Sequence, residues 1–188
     1  MKVTVLYTMN DYRIFVGAFP EGDLADRIQT VRLQYDAKTA HITAPHVTMA
    51  GTYRRTGAPT PENEAITIER LRSIENQLRP FVMQIGGVET FLPHNSVIYL
   101  RIEPTADLLA ARKTILHAVG TDKHRHFTPH LTLTMRLDQT KTEALLSELR
   151  QTEWHRQRWS VSIDHLWLMQ RGPTDPAWRY VQRVDMKA

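Results

Sequence analysis

The feature that most restricts how this chain can fold is a five-residue pattern that occurs twice. Residues 45–49 read Pro-His-Val-Thr-Met, and residues 129–133 read Pro-His-Leu-Thr-Leu, 84 positions further on. Each copy is proline, histidine, apolar, threonine, apolar. Successive side chains of a strand point to opposite faces. His46 and Thr48 therefore share one face, while Val47 and Met49 share the other. His130 and Thr132 separate from Leu131 and Leu133 in the same way. A chain with two such strands must cover the apolar face of both and keep a polar surface in front of both.

The rest of the sequence supplies the cover. Leu24, Ile28, Val31 and Tyr35 fall on one helical face after a Gly22-Asp23 start. Ile68, Leu71, Ile74 and Leu78 form a second helical set, with Pro80 just beyond it. Leu108, Leu109, Ile115, Leu116 and Val119 form a third, with Asp107 as the expected cap and Gly120 as the stop. Leu145, Leu146 and Leu149 form a short fourth. Strand-like runs lie at 13–17, 45–50, 81–85, 97–102, 130–135 and 159–163, the third and fourth joined as a hairpin around Pro93-His94-Asn95-Ser96. The stretches 57–61 and 172–176, rich in glycine and proline, read as loops. Mixed strands and helices with hairpin-like pairs predict an α+β fold rather than a parallel sheet.

Length and composition bound the function. The 188 residues are 41% hydrophobic and 23% charged, as expected for one folded domain. The absence of cysteine excludes disulfides, thiolate nucleophiles and cysteine zinc sites. No apolar run reaches the roughly 18–20 residues of a membrane span. The opening segment MKVTVLYTMNDYR reads as a mature strand and not as a signal peptide, so a cytoplasmic location is expected. A net charge of +4 favours anionic partners. There is no Gly-x-Ser-x-Gly, no P-loop and no Gly-x-Gly-x-x-Gly.

Two His-x-Thr faces suit phosphodiester chemistry. Imidazole titrates near neutral pH. A base and an acid on opposite sides of a phosphodiester can activate water and protonate the departing oxygen, each worth about 10²–10⁴-fold in rate. The threonine hydroxyls can donate to non-bridging oxygens, where charge develops. One His-x-Thr carries little information. Two, each preceded by proline and each in strand alternation, point to a paired catalytic role for His46 and His130 with Thr48 and Thr132 as phosphate ligands. This chemistry needs no cofactor and no metal.

The paired motifs resemble the two signatures of the two-histidine (2H) phosphoesterase superfamily, and in particular its 2′–5′ RNA ligase and RNA cyclic phosphodiesterase branch. Arg-Ile-Phe-Val-Gly-Ala-Phe-Pro at 13–20 is similar to that branch's opening strand, and Phe-Thr-Pro-His-Leu-Thr-Leu at 127–133 to its second motif. The run from Pro80 to Leu100, with Gly86-Gly87-Val88 and Phe91, resembles its central hairpin. The resemblance implies one bilobal domain over residues 1–188. Its two small antiparallel sheets would carry outer helices and enclose a pseudo-twofold central groove. It implies opening of 2′,3′-cyclic phosphates at RNA ends, and in some relatives the reverse 2′–5′ ligation. The arginine that this branch often carries five residues past the second histidine is Met135 here, and Arg136 follows it. In an unbroken strand Arg136 shares a face with His130 and Thr132. The Leu-Gly signal that follows the first motif in bacterial members is altered here, to Ala50-Gly51.

Other candidates carry less. Phe91, Tyr99 and Trp167 could stack on a base, although core packing is the stronger reading of each. His94 sits in a turn that could overhang a groove. Arg54, Arg55, Arg136 and Arg171 could meet phosphates, and of these only Arg136 has positional support. The cluster His124, His126, His130 could chelate a metal, but no carboxylate lies between Lys123 and Leu137. The expected partner is an RNA end or a nucleotide bearing a cyclic phosphate, met by a monomer. Two rival readings share the groove: a phosphodiesterase for a small cyclic nucleotide, and a non-catalytic protein that holds RNA ends.

Overall fold

The computed structural model describes residues 11–123 and 126–187. The opening segment 1–10 and His124 lie outside the described residues. Eight strands form one antiparallel sheet in the order β6-β3-β4-β5-β2-β1-β7-β8. They are β1 (Asp11–Ala18), β2 (Val47–Thr56), β3 (Phe81–Thr90), β4 (Ile98–Ile102), β5 (His130–Thr134), β6 (Trp159–Ile163), β7 (His165–Arg171) and β8 (Arg179–Asp185). Helices α1 (Asp23–Ile42), α2 (Ala65–Ser73), α3 (Ala106–Val119), α4 (Gln139–Leu149) and the single turn α5 (Glu153–Arg156) complete the fold.

The expected pair of small sheets is corrected to one continuous sheet. Its two four-stranded halves, β6-β3-β4-β5 and β2-β1-β7-β8, join through antiparallel pairing of Val47 with Leu131. These are the central apolar residues of the two motifs. About this pair the strand order matches β5 with β2, β4 with β1, β3 with β7 and β6 with β8. This order is what a pseudo-twofold within one sheet requires.

The apolar backs of the motif strands are sealed. Val47, Met49, Leu131 and Leu133 are all fully buried in the main core with Ile28, Leu71, Leu108 and Ile115 from the helices. The four predicted helical sets all form. The second ends early, at Ser73, and continues as a 3₁₀ turn that leaves Leu78 extended. The third is capped by Thr105, whose hydroxyl accepts from the Leu108 amide, and not by Asp107, which lies in the first turn. Leu109 is exposed and does not belong to its core face.

Two strands carry no sequence signal. β7 (His-Leu-Trp-Leu-Met-Gln-Arg) is buried on both faces over most of its length and so lacks alternation. β8 is an edge strand, mostly exposed, with Val184 its buried residue.

β2 is bulged twice against β1, between the pairs Gly17–Thr48 and Val16–Ala50, and again between Phe15–Gly51 and Ile14–Tyr53. A buried ion pair takes up backbone groups there. Arg112 donates to the Met49 carbonyl and to Asp122 at 2.9 and 3.0 Å, and Asp122 accepts from the Gly51 amide at 3.3 Å. The motif strand is thereby tied to α3.

Because Leu131 is both the sheet junction and a core residue, Leu131→Ala should destabilise the protein by roughly 2–5 kcal/mol. The check is a urea melt, with the midpoint falling and the slope unchanged.

Candidate active site

His46, Thr48, His130 and Thr132 are each partly exposed, while their neighbours in the strands are buried. All four side chains therefore leave the core on the same side of the sheet. Antiparallel register around Val47–Leu131 sets His46 against Thr132 and Thr48 against His130. The arrangement is two interleaved His–Thr pairs around one twofold.

Both imidazoles are held alike. His46 Nδ1 lies 2.8 Å from the carbonyl oxygen of Ala44, and His130 Nδ1 lies 2.8 Å from that of Thr128. A carbonyl only accepts, so Nδ1 carries the proton in both rings. This leaves Nε2 with the lone pair in the neutral form and with a donatable proton in the charged form.

The rings differ in surroundings. His46 packs against Phe15 and Phe19, at 4.8 and 5.3 Å between centroids, and Trp178 meets Phe15 edge-on at 4.7 Å. Phe15, Phe19 and Met169 form a small cluster of their own, separate from the main core, with Trp167 and Trp178 at its margin. His130 packs against Phe91 at 4.9 Å and Tyr99 at 5.2 Å. The Tyr99 hydroxyl donates to Glu89 at 3.2 Å, and Arg101 stands opposite His130 in the β4–β5 ladder. Burial, the larger cause, and Glu89 push the Tyr99 phenol up to about 12.

Protein crowds around His46 although part of its ring still meets solvent. Desolvation pushes its imidazole down to about 4, and the charges of Arg32 and of His130 add to this, against the Ala44 hydrogen bond. Arg32 is itself buried. It donates to the Thr43 carbonyl at 2.8 Å and to Gln29 at 2.7 Å, at the end of α1 from which the first motif emerges. His46 is thus neutral at neutral pH.

The remaining predicted residues are placed differently from one another. Phe91 and Tyr99 pack directly on His130, while Trp167 is brought only to the margin of the Phe15–Phe19 cluster that packs on His46. His94 is exposed on the turn that carries Phe91, its backbone amide bound to the Phe91 carbonyl at 3.0 Å, and it is not brought onto either histidine. Arg55 lies away from the motif face, paired with Glu64 at 3.5 Å. β5 ends at Thr134, so the unbroken strand expected for Arg136 does not exist. The chain bends, the Met135 amide donates to Asp36 at 2.8 Å, and Arg136 Nε donates to Thr39 Oγ1 at 3.1 Å. His126 is exposed, and among the described residues no group of three or more His, Cys, Asp or Glu is placed to hold a metal ion. A larger cavity of about 730 Å³ between α2 and α3, lined by Arg70, Ile74, Lys113 and His117, holds none of the motif residues.

Sequence reasoning missed Phe15, Phe19 and Trp178. The available signal was β1 itself, where Phe15 breaks the alternation of Tyr12, Ile14 and Val16 and makes both faces apolar. Gly17 completes the arrangement. A Cβ there would stand 2.8 Å from a Phe15 ring carbon and 2.9 Å from one of Phe19.

Two tests follow. Gly17→Ala should force the two rings apart, destabilise by about 1–3 kcal/mol as over-packing does, and shift the fluorescence of Trp178 through Phe15. In an NMR titration His46 should protonate near pH 4. Between the ordinary imidazole value of about 6.5 and that point the unfolded chain holds the extra proton, so this site makes stability fall as pH falls, and His46→Asn should flatten that slope.

Comparison with known proteins bears on the family and the fold. A family model described as the 2′-5′ RNA ligase superfamily matches residues 20–175. A Bacillus cytotoxicus protein provisionally named a phosphoesterase is 29% identical over 152 residues, covering 80% of this chain and 84% of its own. One from Bacillus licheniformis, named in the same way, is 31% identical over 134 residues, covering 70% and 76%. The crystal structure of E. coli LigT complexed with NADP+ superposes with a TM-score of 0.63 at 17% identity, over 95% of this chain and 99% of that one. LigT complexed with 3′-AMP gives 0.57 at 16% identity, over 94% of this chain and 99% of that one. The chain has the LigT-like α+β fold, and it belongs to the 2′-5′ RNA ligase superfamily.

Proposed function

We propose that this protein is a phosphoesterase that opens 2′,3′-cyclic phosphates at RNA ends, using His46 and His130 as base and acid. The observation that carries the reading is the identical anchoring of both imidazoles, Nδ1 to the carbonyl two residues back, on strands whose threonines interleave with them. The family supports a phosphoester substrate, and the LigT structures with 3′-AMP, ATP and NADP+ make a nucleotide a reasonable one.

The cyclic phosphate sits between the two Nε2 atoms. Neutral His46 takes a proton from water as its oxygen attacks phosphorus. The bond from phosphorus to one ribose oxygen breaks, and protonated His130 gives that oxygen its proton. Thr48 and Thr132 donate to the non-bridging oxygens. The product is a phosphate monoester and a free ribose hydroxyl, and solvent returns each imidazole to its starting state. In the ligating direction the roles exchange. The packing of His46 against Phe15 and Phe19 and the charge of Arg32 favour it as the base in hydrolysis, since burial and charge together disfavour its protonated form.

The test is turnover of a cyclic-phosphate-ended oligoribonucleotide in EDTA. Wild type should open it with a bell-shaped pH profile, His46→Ala and His130→Ala should each lose about 10²–10⁴-fold in kcat, and Thr48→Val or Thr132→Val about 10²–10³-fold. Strict dependence on an added metal would sink the mechanism. If His46→Ala weakens binding of an end that wild type never opens, the protein is an RNA-end binder instead.

A further inference from the structure

A row of arginines crosses three adjacent strands beside the histidine site. Arg13 of β1 stands opposite Arg54 of β2 on one side and Arg171 of β7 on the other. The β1–β7 ladder runs unbroken from Gly17–Trp167 through Phe15–Met169 to Arg13–Arg171. Arg13 therefore lies on the face of Phe15, which is the face of His46. Like charges set directly opposite in a sheet destabilise it, and here the conflict is made twice, on both sides of one residue.

The groups around Arg13, Arg171 and Arg136 orient them without neutralising them. The Arg13 guanidinium lies 5.4 Å over Trp178. Arg171 Nε donates to the Asp175 carbonyl at 3.1 Å, and Arg136 Nε to Thr39 Oγ1 at 3.1 Å. The Asp175 carboxylate accepts from the Gly172 amide at 2.7 Å and pairs with Arg179 at 3.3 Å. Arg171 is held below its ordinary value, by burial first and then by the charges of Arg13 and Arg136, with Asp175 opposing. A cleft of about 200 Å³ is lined by Arg13, Arg54, Arg171 and Gly172, with Asp11 as its carboxylate. Three guanidinium groups face the carboxylate of Asp11 and, at the edge, that of Asp175, which Arg179 already pairs, so positive charge is in excess there. Trp178, partly exposed, spans the interval, 4.7 Å from Phe15 and within cation–π reach of Arg13.

We propose that Arg13, Arg54 and Arg171, with Arg136 at their margin, form a second phosphate subsite that holds a backbone phosphate of the RNA upstream of the cyclic end. This rests on the proposed function for the position of the first phosphate. Arginine suits the task because its planar fork pairs with two phosphate oxygens at once. Trp178 offers a face to the intervening nucleotide. The preferred substrate is then an oligonucleotide end and not a lone cyclic mononucleotide.

The probe is a short, 5′-labelled oligoribonucleotide ending in a 3′-phosphate, which cannot be opened, followed by fluorescence anisotropy over a range of salt. Arg13→Gln/Arg171→Gln should bind it at least tenfold more weakly. The slope of log K against log salt should flatten by about 0.7 for each phosphate that is no longer neutralised. Turnover should agree: the ratio of kcat/KM for a cyclic-phosphate oligomer over a cyclic mononucleotide should drop, mainly through KM. Arg54→Gln is the second variant should the double one fold poorly by circular dichroism. Unchanged affinity and slope in a folded variant overturn the subsite. Weakened binding of a mononucleotide 5′-diphosphate with unchanged oligomer binding overturns the RNA backbone as the phosphate source. A wild type that binds the oligomer but never opens a cyclic phosphate would sink the proposed function while leaving the binding result to stand.

Discussion

Everything at the site depends on one antiparallel contact, Val47 against Leu131. It joins the two halves of the sheet, and because its residues are the apolar centres of both motifs it also fixes where the polar residues on either side must stand. The period of a strand is two, so a slip of one strand by one residue at this pair would turn its histidine and its threonine into the core. The complete burial of Val47, Met49, Leu131 and Leu133 resists that slip. Packing on one face of the sheet thus sets the chemistry on the other.

The two motif strands are braced differently. The first emerges from α1 through a short loop that buried Arg32 grips at the Thr43 carbonyl, and β2 is then held at its bulges by Arg112 and Asp122. The second is held at its far end, where Asp36 at the kink of α1 accepts both the Thr39 amide at 3.1 Å and the Met135 amide at 2.8 Å. One helix therefore touches the start of one motif strand and the end of the other. Burying charged groups for this purpose is costly unless each is fully paired. Asp36 accepts from two backbone amides, while Arg32 donates through its two terminal nitrogens and leaves its buried Nε without a partner, which makes them positional devices more than sources of stability.

The repeated motif was legible because it obeys local rules. Alternation showed which side chains share a face, and the core confirms each assignment. The helices were legible from their 3.6-residue period. What could not be read is what depends on pairing between distant segments. β7 hides its period by being buried on both faces. β8 has too little buried surface to show one. The arginine row is invisible along the chain, since Arg13, Arg54 and Arg171 become neighbours only through the β2-β1-β7 ladder. Arg136 misled for the opposite reason: extrapolating strand alternation past Thr134 assumed a regularity that the Asp36–Met135 hydrogen bond ends.

The twofold relates the backbones of the two halves, and the side chains break it. Around His46 lie two phenylalanine rings, a tryptophan edge and the charge of Arg32, and burial among them together with that charge disfavours the imidazolium. Around His130 lie Phe91 and Tyr99, with Glu89 bound to the Tyr99 hydroxyl and Arg101 opposite on β4. Glu89 also approaches Arg101 at 3.9 Å, so a carboxylate belongs to the polar network on this side. Desolvation and the charge of Arg32 thus act on His46, while His130 meets a different set of neighbours, two rings and a polar network that contains a carboxylate. The arginine row also lies on the His46 half. Under the proposed function it would present an RNA end with a fixed polarity relative to the two histidines.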